Sequence, residues 1–143
     1  MSRLTLENAN AIIAAALAEG ARRGLKPLSV IVLDPGGHPI AFQRQDGSST
    51  LRFQIAAGKA GGALALGFSS RKVEEAAAAR PSFIGSLGPI SPHGVVPAAG
   101  GIIVVGDDGR PIGAVGITGD TSDNDEACAL AGIAAAGLTV QPG

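Results

Sequence analysis

Four side chains in this sequence are of types that carry chemistry and stand where chemistry is possible: Lys59, His93, Asp125 and Glu126. Lys59 lies among alanines and glycines in LRFQIAAGKAGGALALGF, on one helical stripe with Ile55 and Ala63. There it either snorkels to solvent or points into a pocket, where it would anchor a ligand carboxylate or lose basicity on desolvation. His93, one of only two histidines, sits in PSFIGSLGPISPHGVVPAAGG, residues 81–101. Long loops without secondary structure are uncommon in compact domains and often bind ligands. A histidine there is a metal or haem ligand, a general base or an ordinary surface residue. His38 falls in a turn and is expected to face solvent.

Asp125 and Glu126 belong to the acidic run GDTSDNDE. Acids are favoured at a helix N-terminus, and Asp123 as N-cap with Glu126 three residues later forms a capping box. The alternative is that Asp125 or Glu126 faces a pocket as acid, base or anchor. A calcium loop starting at Asp120 would need glycine and glutamate where Asp125 and Ala131 stand, so it is excluded. A P-loop at Gly58-Lys59 fails because Phe53 replaces its first glycine and Ala60 its Ser or Thr.

The elements that must position these residues follow from periodicity. Thr5 caps a first helix in which Leu6, Ala9, Ile12, Ile13, Ala16 and Leu17 recur at helical spacing. LSVIVLD, the turn PGGH and PIAFQR form a hairpin. A helix over the Lys59 segment follows, capped by Ser49 or Thr50, then a shorter one in SSRKVEEAAAAR that stops at Pro81. The paired Gly61 and Gly62 imply that something packs on the backbone there. Ile102–Val105 and Ile112–Ile117 form a second hairpin, where Gly113, Gly116 and Gly119 mark a bulge or a helix in close approach. A last helix begins in the acidic run. Helix, two strands, two helices, loop, two strands and helix make an α+β domain with an antiparallel sheet, one domain over 1–143.

Composition narrows the function. The chain has 143 residues, 45% of them hydrophobic, and a net charge of −1. Without clustered Lys and Arg, and with no Trp or Tyr, it is not built to bind nucleic acid. No apolar stretch is long enough for a membrane span. Residues 1–24 resemble a mature amphipathic helix rather than a signal peptide, which makes the cytoplasm the expected location. The lone Cys128 has no partner for an internal disulfide.

Several segments taken together resemble the GlcG/HbpS-like, or haem-degrading domain, family: LSVIVLDPGGHPIAFQRQDG, AAGKAGGAL, PAAGGIIVV and GRPIGAVGITGDTSDNDEACALAGIAA. The resemblance covers nearly the whole chain. It implies a profilin-like fold with a central antiparallel sheet flanked by helices on both faces, and homo-oligomers, from dimers to larger assemblies. The family's lysine falls on Lys59, its paired glycines on Gly100 and Gly101, and its acidic pair on Asp125 and Glu126. It also implies a small-molecule ligand, haem or a related tetrapyrrole. His93 would then bind the iron, Lys59 or Arg44 would meet a propionate, and Phe83, Ile84, Leu87 and Val95 would supply apolar walls. The rival reading is an enzyme of small-molecule catabolism, with Lys59, His93, Asp125 and Glu126 as acid–base or anchoring groups in a pocket at a subunit interface. In either case residues 81–96 are expected to close over a pocket near Lys59 as a lid.

Overall fold

The computed structural model describes residues 3–143. Its helices are α1 (Leu6–Arg23), α2 (Arg52–Leu66), α3 (Ser70–Ala79), α4 (Pro81–Leu87) and α5 (Ser122–Ala135). Its strands are β1 (Ser29–Leu33), β2 (Pro39–Arg44), β3 (Gly101–Val105), β4 (Pro111–Thr118) and β5 (Thr139–Val140). The strands form one antiparallel sheet in the order β2-β1-β4-β3-β5. Helices cover both faces, as expected for the profilin-like α+β class.

Strand alternation assigns the faces. Val30 and Val32 of β1 point towards α1 and α5, into a core with Ile12, Ile13, Val104, Ile117 and Ile133. Ile31 and Leu33 point the other way, onto Ala56, Ala57 and Ala60 of α2. There α2 lies nearly on the sheet backbone. A Cβ at Gly116 would fall 2.2 Å from the Ala56 carbonyl oxygen, and one at Gly101 would fall 2.3 Å from that of Lys59. Gly116 of β4 therefore does mark the close approach of a helix, whereas Gly113 lies against the Leu33 carbonyl oxygen and Gly119 against that of Pro27.

Four local expectations need correction. Residues 81–101 are not one structureless loop: α4 and a 3-10 turn at Gly88–Ile90 occupy the first half. Pro81 ends α3 because it cannot continue that helix, yet it is well placed as the first residue of α4, where its missing N–H is no loss. The N-cap of α5 is Thr121, whose side chain accepts from the Asn124 N–H; Asp123 lies inside the first turn. No side chain caps α2, since Leu51 holds the cap position and the Ser49 hydroxyl accepts from Arg52 instead. The two-residue β5 is an additional strand, too short to leave a periodic signal.

Candidate functional site

Lys59 points inward from α2 and is 3% exposed. Its Nζ donates to Asp125 Oδ2 at 3.2 Å and to the Ile117 carbonyl at 3.0 Å. Asp125, 1% exposed, also accepts from the Asp120 N–H through Oδ1. Burial pushes the Lys59 ammonium below its ordinary pKa and the Asp125 carboxyl above its own, and each partner's charge opposes the shift. Lys59 is thus neither solvated nor an anchor in an open pocket. It forms a sealed ion pair that ties α2 to the start of α5.

Gly100 and Gly101 serve this pair. A Cβ at Gly100, whose φ is 129°, would stand 3.0 Å from Lys59 Nζ. The Gly101 N–H donates to the buried Ser70 hydroxyl at 2.7 Å, joining α3 to β3. The two glycines make room for Lys59, and the Gly101 N–H is taken by Ser70 rather than offered to a ligand. Glu126 faces away from the pair: Arg71 donates to both of its carboxylate oxygens through Nε, at 3.0 and 3.1 Å, and also holds Asp123.

His93 lies on the opposite side of α2. Lys59 and Gly61 are about 200° apart around a helix, and the His93 ring packs at Gly61, where a Cβ would meet it at 3.0 Å. Val95 and Val96 cover Gly62 and Gly58 in the same way. Residues 93–96 therefore form a strap along the outer face of α2, which the paired glycines anticipated. His93 Nε2 is 2.7 Å from the Gly37 carbonyl oxygen, in the turn between β1 and β2. His38 is in that turn, exposed, with Nδ1 at 3.3 Å from Asp34.

The expected constellation is not assembled around one pocket. Lys59 and Asp125 are enclosed beneath α2, Glu126 is engaged by Arg71, and His93 is outside. Lys59 therefore cannot meet a propionate. Arg44 ends the edge strand β2, at the far end from the turn that His93 touches, and lines a cleft of about 610 Å³ with Leu25, Pro27, Gln45 and Asp46. A larger cleft, about 860 Å³, lies at the other end of the sheet between Leu4, Asp34, Asp108, Arg110 and Ile112. None of the four expected acid–base residues lines either cleft. On α4, Ile84 is buried while Phe83 is 46% exposed, with the Arg80 guanidinium 4.3 Å from its ring centroid. Among the described residues no three His, Cys, Asp or Glu side chains group as a metal site, and no helix is long and apolar enough to cross a membrane.

Two arginines escaped the sequence reading. Arg71 organises the start of α5. Arg52 Nε donates to Ser49 Oγ at 2.9 Å, and its NH1 donates to Thr118 Oγ1 at 2.8 Å. Their only sequence signal was position in the first turn of a helix, where an acid would be favoured instead.

Comparison with known proteins agrees with this architecture. The model of the HbpS-like haem-degrading protein family matches residues 4–134. A double mutant of HbpS from Streptomyces reticuli has 30% sequence identity, with 94% of this chain and 87% of that one covered and a TM-score of 0.80. PduOC, solved in complex with haem, has 22% identity and a TM-score of 0.86, with 99% and 100% of the chains covered. The Klebsiella pneumoniae protein ORFY has 23% identity and a TM-score of 0.84, with 96% and 93% covered. No curated protein matches. A shared sheet order alone would leave the family open, but the match along the sequence runs from just before α1 into the last turns of α5, and on that ground the chain belongs to the HbpS-like haem-degrading protein family.

Proposed function

We propose that this chain binds haem or a related tetrapyrrole, with His93 as the iron ligand. The observation that carries the reading is the state of the His93 ring. A carbonyl oxygen only accepts, so the 2.7 Å contact with Gly37 puts the proton on Nε2. In the neutral ring Nδ1 is then the nitrogen with the free lone pair, and it has no hydrogen-bond partner among the described residues. A histidine whose second nitrogen donates to a backbone carbonyl is oriented and made more basic for metal ligation.

The donor chemistry fits an iron porphyrin; the walls are incomplete in one chain. Phe83 and Ile90, 46% and 79% exposed, offer apolar surface on the segment leading to His93, and Arg80 replaces Lys59 and Arg44 as the cation for a propionate. His93 lines neither cleft, so a second copy of the chain would supply the opposite wall. This joins ligand binding to self-association. Bound haem would supply redox-active iron; the chain's part is to hold it at Nδ1 and to exclude water with apolar side chains.

Titration with hemin tests the reading. A shifted Soret band is expected with the wild type and lost in His93→Ala, with the larger species favoured on sizing when hemin is present. No shift, or the same shift in His93→Ala, overturns it.

A further inference from the structure

Ser29 opens β1 and is fully buried, yet its hydroxyl has no hydrogen-bond partner. Buried polar groups are paired as a rule, so an orphaned one points to a missing partner. Its surroundings indicate which kind. Ser29 pairs with Thr118 on β4 and with Arg44 on β2, and residues directly opposed in a sheet share a face. That face is the α2 side, because Ile31 and Leu33, in phase with Ser29, pack on α2. Thr118 Oγ1 accepts from Arg52, so this guanidinium is held over the strand next to Ser29.

Arg52 is half-buried and touches only neutral hydroxyls, those of Ser49 and Thr118. Among the described residues no carboxylate lies within ion-pairing distance of it. It also starts α2, which has no side-chain cap: the Arg52 N–H donates to the Ser49 carbonyl, while those of Phe53 and Gln54 find no acceptor among the described residues. Ser48, next to the Ser49 that holds Arg52, has a second buried hydroxyl without a partner. An uncompensated guanidinium, an uncapped helix start and two unpaired hydroxyls lie together at the end of β1 remote from Gly37 and His93.

We propose that Arg52 and Ser29, with the start of α2, form an oxyanion site that takes a phosphate or carboxylate group. Arg52, half-buried, receives the anion at the surface, and the Ser29 hydroxyl, enclosed in the free protein, donates to it once the Arg52 side chain swings off Thr118. The site is independent of iron ligation at His93.

Isothermal titration of the full chain with inorganic phosphate and, separately, with malonate tests this. Saturable binding of either anion at one site per chain is expected; binding of phosphate alone marks a phosphate ligand, and of malonate alone a carboxylate. Arg52→Gln should weaken binding about tenfold or more, and Arg52→Lys should restore part of it. Ser29→Ala should weaken binding several-fold while melting no lower than the wild type, since it removes only an unpaired group. If Arg52→Gln does not fold, Ser29→Ala alone decides. No saturable binding of either anion, or wild-type affinity in Ser29→Ala, overturns the proposal.

Discussion

Ile12, Ile13 and Ile133 fill the space between the sheet and the α1–α5 pair, whereas Ala56, Ala57 and Ala60 bring α2 down against the other face. On the first face, volume is supplied by branched side chains that interlock. On the second, the strands still offer Ile31 and Leu33, but α2 brings only alanines to them, and where the strands carry glycine contact is made by backbone: Gly116 under Ala56, Gly101 under Lys59. The difference explains where the polar groups are. A helix held off by large side chains could not reach the strand carbonyls. A helix at glycine distance can, and Lys59 uses the proximity to bond Ile117 and Asp125. The thinly packed face is also where the strap and the Arg52 cluster lie.

The largest break in this contrast should come from Asp125→Ala. Removing one partner of a buried ion pair leaves the other charge stranded, at a cost of about 3–5 kcal/mol. Urea unfolding should show this loss, while Lys59→Met combined with Asp125→Leu recovers most of it. A cost below about 1 kcal/mol for Asp125→Ala would mean that the pair does not hold α5 in place. Next comes a direct test of the two packing modes. Gly116→Ala adds a methyl group where backbone already stands and should cost about 1–3 kcal/mol or more. Ile13→Val, on the aliphatic face, should cost about 0.5–1.5 kcal/mol. If the order is reversed, close backbone approach is not what defines the α2 face.

The smallest effect is a pH dependence at the edge of the Lys59 site. The Asn124 side chain and the N–H groups of Lys26 and Thr121 stabilise ionised Asp120, lowering its pKa from 3.8 to about 2. A carboxyl lowered on folding contributes stability above its unfolded pKa and loses it as pH falls through the folded one. The wild type should therefore lose more stability than Asp120→Asn between pH 3.8 and about pH 2. Parallel curves of melting temperature against pH for the two proteins would discard that assignment.

What the sequence made legible was what local periodicity encodes. The stripe from Leu6 to Leu17 became α1, PIAFQR became β2 with the same ends, and of the three spaced glycines Gly116 does face a helix in contact. The glycine pair in α2 correctly required a packed neighbour, and His93 and Val95 supply it. Legibility failed where the deciding partner is remote or the signal has two meanings. Lys59 is sealed by Asp125, 66 residues away, and no spacing reports that contact. Pro81 carried both the end of α3 and the start of α4, and only the first was visible. Thr121 and Asp123 are both good caps by type, and the chain's path out of β4 selects the first.

One consequence of the glycines in α2 reaches beyond packing. Gly58, Gly61 and Gly62 each disfavour helix by about 1 kcal/mol relative to alanine, in a segment of 15 residues, a length at which isolated helices are marginal. The segment has little helical tendency of its own. It is helical because the sheet on one side and the 93–96 strap on the other leave it no alternative. Lifting the strap, whether by a ligand that turns the His93 ring or by loss of its bond to Gly37, removes one of the two constraints. The interior seal over Lys59 is therefore conditional on a contact made on the far side of the helix, at the surface of the protein.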